Sequence, residues 1–201
     1  MIKAVAGDKD LVVSLLEQAG DGLSDYQFKN KKQRDLLLSQ LFDLYFNMGE
    51  IWLSGNRRAC ALIMQPGISA LRAKAIPILF KLIFSETGRA VLSEAWHHVS
   101  RGGRLKSIYK ITYIRWICVD PLFQRRGTGS GLLGRILEKA AAKNRIVYAQ
   151  TATLKNLDWL EKFGFEGYDV LDDQGLKNVT FLLKRSFSQQ ALTNLNHNKK
   201  P

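Results

Sequence analysis

The stretch "QRRGTGSGLLGRIL", residues 124–137, follows directly on the apolar run "YIRWICVDP" and supports two different phosphate-binding readings. In one frame Gln124 to Gly129 spell Q-x-x-G-x-G, with Arg125 and Arg126 inside the motif. A loop of this kind between a strand and a helix start exposes backbone N–H groups that have no intrahelical partner. Gly127 and Gly129 let a ligand approach that backbone closely and permit unusual dihedrals. The helix dipole and the two guanidinium groups add positive charge. Such a site suits a pyrophosphate. Taken alone, the six residues fit equally well a glycine-rich connection carrying solvated arginines.

In the other frame Gly129, Gly131 and Gly134 spell G-x-G-x-x-G, the fingerprint of a dinucleotide-binding turn. That fingerprint needs its first glycine in the tight turn just after a strand, whereas Gly129 lies ten residues beyond Val119, at the head of a helix. It also needs an acidic residue about 20 positions on, and the corresponding stretch "VYAQTATLKN" has none. Too little chain follows to complete a doubly wound sheet. No Gly-Lys-Ser/Thr follows either, which removes a Walker-type loop. Gly134 then reads as an interior helix position where a small residue allows close packing.

The surrounding elements are written by periodicity. Leu132, Leu133, Ile136, Leu137, Ala140 and Ala141 form one face of a helix over 129–143. Upstream, "IKAV" reads as a short first strand. "DKDLVVSLLEQAG" is a helix with Leu11, Leu15, Leu16 and Ala19 at helical spacing, Asp8 or Asp10 as N-cap and Gly20 as stop. "KKQRDLLLSQLFDLYFNMG" is a second amphipathic helix ending at Gly49. "EIWLSG" and "RRACALIMQPG" form a hairpin around Ser54, Gly55 and Asn56. Residues 68–98 are helical in character and 101–106 a basic loop, so 68–106 reads as a helical insertion before one long strand over 107–119. "RIVYAQT" is a buried-type strand, "NLDWLEKFG" a helix closed by Gly164, and "FEGYDVL" with "VTFLLKR" a final antiparallel pair. A single domain is expected over 1–185, with a disordered polar tail over 186–201.

Composition bounds the setting. An apolar fraction of 46% and a charged fraction of 24% are ordinary for a soluble globular chain. No stretch approaches the roughly 18 apolar residues of a membrane span, and "MIKAVAGDKD" lacks the apolar core of a secretory signal. The two cysteines, Cys60 and Cys118, lie in apolar strand-like runs, so a reduced cytoplasmic location is expected rather than a disulfide framework. Thirty basic against 18 acidic residues give a net charge of +12. The charge is scattered and not interleaved with aromatics, which favours solvated surface plus one anionic-cofactor site over a nucleic-acid face.

Two segments together carry a family resemblance. "ICVDPLFQRRGTGSGLL" resembles motif A of the GNAT superfamily of acyl-CoA-dependent N-acetyltransferases: a strand ending in V-x-P, then Q-x-x-G-x-G, then a helix opening with "LL". "ATLKNLDWLEKFGF" resembles the second signature, in which an Asn precedes a helix ending in E-K-x-G-F. The resemblance spans the chain in outline and is strongest over 111–183. The helical segment before the central strand and the "TATLKNLDWLEKFGF" ending are similar to the puromycin N-acetyltransferase-like branch. It implies the GNAT fold, a mixed α-β-α (α+β) architecture. Its central, mostly antiparallel twisted sheet has six to seven strands, splayed at the cofactor site and flanked by helices. It implies acetyl-CoA as cosubstrate, held by Ile117, Cys118 and Val119 along the pantetheine. Gln124, Arg125, Arg126, Gly127, Thr128, Gly129 and Ser130 would hold the pyrophosphate, with Asn156 near the thioester and the helix over 157–163 lining the channel.

The implied reaction is direct attack of a neutral amine, on a small molecule or a protein, upon the acetyl thioester. A base must take the amine proton, and Glu94, His97, His98 and Asp120 are the candidates. A strand N–H near Cys118 or Val119 would stabilise the oxyanion. Many members of the superfamily place a Tyr four residues before the glycine of G-F to protonate the leaving thiolate; here Leu160 stands there. A free thiol has a pKa of about 8.5, so its thiolate leaves with little help. A catalytically impaired acyl-CoA-binding sensor or interaction protein is therefore the alternative. Tyr109, Tyr113 and Arg115 share one side of the long strand if it is regular, and face either the acceptor or the sheet packing. Adjacent His97 and His98 do not share a helix face, so no metal site is expected. Cys118 reads as a buried small residue, membrane and nucleic-acid partners are not expected, and a homodimer stays open.

Overall fold

The computed structural model describes residues 1–18, 30–65, 111–151, 153–172 and 179–186. Glu94, His97, His98, Tyr109, Ala19, Gly20, the expected insertion and the tail beyond Ser186 lie outside the described residues. Seven strands form one sheet: β1 (Ile2–Lys3), β2 (Glu50–Leu53), β3 (Ala59–Met64), β4 (Ile111–Val119), β5 (Ile146–Thr151), β6 (Glu166–Asp172) and β7 (Val179–Arg185). Their order is β1-β2-β3-β4-β5-β7-β6. Every neighbouring pair is antiparallel except β4 and β5. The mixed, mostly antiparallel sheet expected from the sequence is present. The last hairpin is also present, but its second strand, β7, is the one that pairs with β5.

Among the described residues four helices pack on the two faces. On one, α1 (Lys9–Gln18) and α2 (Lys31–Met48) bury Leu15, Leu16, Leu37, Leu38, Leu41, Phe42 and Tyr45 against Leu53, Cys60, Leu62, Trp116 and Cys118. Asn30 starts α2 by accepting the Gln33 N–H at 2.9 Å, which satisfies one of the orphan donors of the first turn. The expected N-cap of α1 differs: Asp8 ends a 3-10 turn (Ala6–Asp8) that runs straight into the helix, and its carboxylate accepts the Val5 N–H.

On the opposite face α3 (Thr128–Ala142) buries the six residues its periodicity singles out, Leu132, Leu133, Ile136, Leu137, Ala140 and Ala141. Each large apolar side chain removed from water there contributes roughly 1.5–3 kcal/mol. They meet Ala59, Ala61, Ile63, Ile114, Val147, Ala149 and Leu183. The alanines on β3 and β5 leave room for the helix to lie close to the sheet. Beside it, α4 (Leu154–Glu161) closes with Gly164 at φ +75°. The Gly164 N–H bonds to Glu161 O at 2.8 Å and the Phe165 N–H to Leu160 O at 3.3 Å. This is a Schellman ending, with the Leu160 and Phe165 side chains buried together in the same core. The helix starts three residues earlier than its apolar pattern suggests, so Asn156 lies in its first turn rather than ahead of it.

Candidate active site

The sheet opens at the parallel junction of β4 and β5. These strands pair from Ile111–Ile146 to Ile114–Ala149 and no further. Beyond that point β4 continues to Val119 along β3, and β5 continues through Gln150 and Thr151 along β7. The two strands therefore diverge in a V whose apex is Ile114 and Ala149. One residue past the apex the β3–β4 register shifts: Leu62 faces Trp116 while Ile63 faces Ile114, so Arg115 is the extra residue of a bulge. A bulge breaks the two-residue alternation and bends its strand. It puts Ile114, Ile117 and Val119 toward α3, and Trp116 and Cys118 toward α1 and α2. The regular strand on which a shared side for Tyr113 and Arg115 was conditional is therefore interrupted between them. Arg115 is buried, with its guanidinium 4.3 Å from the Trp116 ring centre.

The edge of β4 that faces the V is fixed by hydrogen bonds further along. The Asp120 N–H bonds to Arg58 O on the β3 side at 2.9 Å. Backbone groups of alternate residues point to opposite edges of a strand, so Cys118, paired with Cys60, also faces β3. Ile117 and Val119 face the gap, and the Gln124 side chain donates to Val119 O there at 3.2 Å. Of the three strand residues named from the sequence, Ile117 and Val119 offer their backbone to the opening and Cys118 does not. The Cys118 thiol is buried against Cys60. Hydrogen bonding to Cys118, then burial, push the Cys60 thiol well above its ordinary pKa.

After Val119 the chain turns back sharply onto α3. Pro121–Phe123 form a 3-10 turn capped by Asp120, whose carboxylate accepts the Leu122 N–H at 3.0 Å and pairs with Arg58 at 3.2 Å. Asp120 is thereby committed to the turn and to the β3 side, away from the V. Arg58 and Arg126 lie over the Phe123 ring at 4.8 and 5.6 Å. Two left-handed residues, Arg125 at φ +56° and Gly127 at φ +79°, then aim the chain into the helix. The first intrahelical bond runs from the Gly131 N–H to Gly127 O at 2.7 Å. The N–H groups of Thr128, Gly129 and Ser130 precede it and have no intrahelical acceptor. Arg125 and Arg126 are exposed beside them.

Close contact holds that first turn against the mouth of the V. A Cβ on Gly129 would lie 3.1 Å from Val119 Cγ2. A Cβ on Gly134, by contrast, would meet nothing within 4 Å, so the close packing expected there is absent. From the other bank Trp159 of α4 donates its indole N–H to Ser130 Oγ at 3.0 Å and meets Phe163 edge-on at 5.6 Å. Leu160 is 3% exposed and belongs to the core, so no polar group stands at that position. Asn156 is exposed on α4.

Two residues at the apex form a pair that the sequence motifs do not announce. Tyr113 Oη donates to Gln150 Oε1, joining β4 to β5 where they part. Both side chains are half-buried. The signal in the sequence is weak: Gln150 is the one amide in the apolar run "IVYAQT", and its partner is 37 residues away. Among the described residues no three His, Cys, Asp or Glu side chains gather as a metal site, and no helix is long and apolar enough to cross a membrane.

Comparison with known proteins agrees with this geometry. Residues 85–167 match the acetyltransferase (GNAT) domain. No curated protein matches the sequence significantly. Among solved structures, a Corynebacterium glutamicum protein described as histone acetyltransferase HPA2 and related acetyltransferase aligns with a TM-score of 0.63 at 14% identity, over 94% of this chain and 96% of its own. Drosophila melanogaster polyamine N-acetyltransferase, which forms N-acetylagmatine, aligns at 0.62 and 11%, over 92% and 98%. Arylalkylamine N-acetyltransferase 2 of Aedes aegypti aligns at 0.61 and 15%, over 93% and 98%. At these identities the structures speak to the fold, and the domain match speaks to the family without singling out the puromycin N-acetyltransferase-like branch. Residues 85–167 thus match the acetyltransferase (GNAT) domain, and the splayed sheet has the fold of solved N-acetyltransferases.

Proposed function

We propose that the protein transfers the acetyl group of acetyl-CoA to an amine by direct attack. The observation that carries this reading is the V between β4 and β5, which opens beside the N-terminus of α3. The donor set fits the substrate. Ile117 and Val119 offer a strand edge to the amide groups of pantetheine, and Thr128, Gly129 and Ser130 offer N–H groups to the pyrophosphate, with Arg125 and Arg126 adding charge. Gln124 keeps Val119 O occupied, and Asn156 stands on the helix forming the far bank. A thioester lying along β4 comes to rest at the apex.

The acceptor is a small-molecule or protein amine. Agmatine and arylalkylamines, the amines named for two proteins of the same fold, belong in the first panel. Thiol release from acetyl-CoA across that panel tests the reading, with a thermal shift run alongside. A ligand at 100 times its dissociation constant adds about 2.7 kcal/mol. Gly127→Glu, which sets bulk and negative charge beside the helix N-terminus, should remove the shift while the variant stays folded. An unchanged shift in that variant would overturn the site. The buried Leu160 favours a second reading, an acyl-CoA sensor, and stabilisation without thiol release on any amine would select it.

A further inference from the structure

Transfer of the acetyl group expels a thiolate, and the described part of the V offers few groups able to neutralise it. Leu160 is apolar and buried, Asp120 is held by Arg58 and its own turn, and Cys118 faces the opposite core. Tyr113 is different. It lies one residue before the apex, in register with Tyr148 across the parallel pair. The α3 side of the apex is occupied by Ile114, Val147 and Ala149, so Tyr113, Tyr148 and Gln150 occupy the face opposite α3. The Tyr113 hydroxyl reaches forward, past the last β4–β5 pair, to Gln150, the first residue of β5 beyond the junction. A phenol proton is thus held over the point where the strands part.

We propose that Tyr113 is the proton donor to the leaving sulfur, with Gln150 as the residue that positions its hydroxyl; this rests on the acetyltransferase reading above. The amine nitrogen forms its bond to the acetyl carbon, and the C–S bond breaks with both electrons passing to sulfur. Sulfur takes the phenol proton, and the tyrosinate recovers one from the nitrogen that has just become an amide. The products are the N-acetyl amide and the free thiol, with no net change at Tyr113. In the resting state the hydroxyl bonds to the neutral Gln150 carbonyl. A developing thiolate is a charged and therefore stronger acceptor, so the proton turns to it as the charge appears.

The test compares wild type, Tyr113→Phe and Gln150→Leu in thiol release with the best amine of the panel, measuring kcat and KM for both substrates. Tyr113→Phe should lose kcat by about 100-fold, the lower part of the range for a positioned acid. Its KM values should stay within about two-fold and its thermal shift with acetyl-CoA should be retained. Gln150→Leu should lose kcat by about 10-fold, because the hydroxyl remains but is no longer aimed. If Tyr113→Phe keeps wild-type kcat, or loses only through a raised amine KM, Tyr113 is not the donor while the acetyltransferase reading stands. If wild type binds acetyl-CoA but releases no thiol with any amine, both readings fall.

Discussion

At Gly127 the backbone has φ +79°, and a Cβ there would meet nothing within 4 Å; at Gly129 the backbone carries no such constraint, but a Cβ would lie 3.1 Å from Val119 Cγ2. The same residue type thus answers two different demands, one conformational and one steric. A left-handed conformation costs an L-residue roughly 1–2 kcal/mol, and Gly127→Ala should lower stability in urea melts by about that amount. Gly129→Ala gains helix propensity, which offsets part of the clash, so its stability should stay within about 1 kcal/mol of wild type. Its methyl group nonetheless pushes the first turn of α3 off the end of β4, where the pyrophosphate is proposed to bind. Acetyl-CoA affinity, measured by calorimetry, should therefore fall further in Gly129→Ala than its stability change suggests, by about 10-fold, equivalent to about 1.4 kcal/mol. Wild-type affinity in a folded Gly129→Ala protein would show that the contact with Val119 does not shape the site.

A hydrogen bond from Trp159 of α4 to Ser130 in the first turn of α3 joins the helices that flank the V. Trp159→Phe keeps an aromatic ring beside Phe163 but removes the N–H, and should cost about 1 kcal/mol. Ser130→Ala removes the same bond from the other side. If that bond is the shared cause, the double variant should cost little more than either single one in urea melts, and additive losses would refute the link. Elements of this kind were unevenly legible in the sequence. The face of α3 is written in six apolar residues at helical spacing, and Gly164 announces the end of α4. The start of α4 was hidden because Leu154, Lys155 and Asn156 are exposed, so burial leaves no pattern there. The bulge at Arg115 was hidden for another reason: it is defined by β3, whose register shifts opposite it, and no local pattern in β4 records that. Likewise the two last strands are each visible, but which of them joins β5 is decided by the sheet. Motif A was legible because loop, glycines and helix start are contiguous; the Tyr113–Gln150 pair was not, because a parallel crossover separates its members.

At the scale of the whole molecule the sheet has two parts, β1 to β4 and β5 to β7, whose direct strand contact is the short parallel run from Ile111–Ile146 to Ile114–Ala149. The core beneath α3 spans both parts, but beyond the apex the β4 edge has, among the described residues, no strand partner on its β5 side. A ligand lying along that edge would complete the ladder there. Hydrogen exchange distinguishes this from binding elsewhere, because strand geometry assigns alternate amides to opposite edges. In the free protein the Cys118 and Asp120 amides, turned to β3, should exchange slowly, and the Ile117 and Val119 amides, turned to the gap, should exchange fast. With acetyl-CoA at 100 times its dissociation constant, global stability rises by about 2.7 kcal/mol, equivalent to about a 100-fold slowing of any amide that exchanges through global unfolding. The gap-facing amide that pairs with the pantetheine should slow by more than its neighbours, because it gains a bond of its own in addition to the global term. A uniform slowing of all four amides would mean that acetyl-CoA stabilises the fold without lying along β4. Fast exchange persisting at both Ile117 and Val119 would exclude that pairing as well, and the α3 N-terminus would then have to hold the cofactor without the strand.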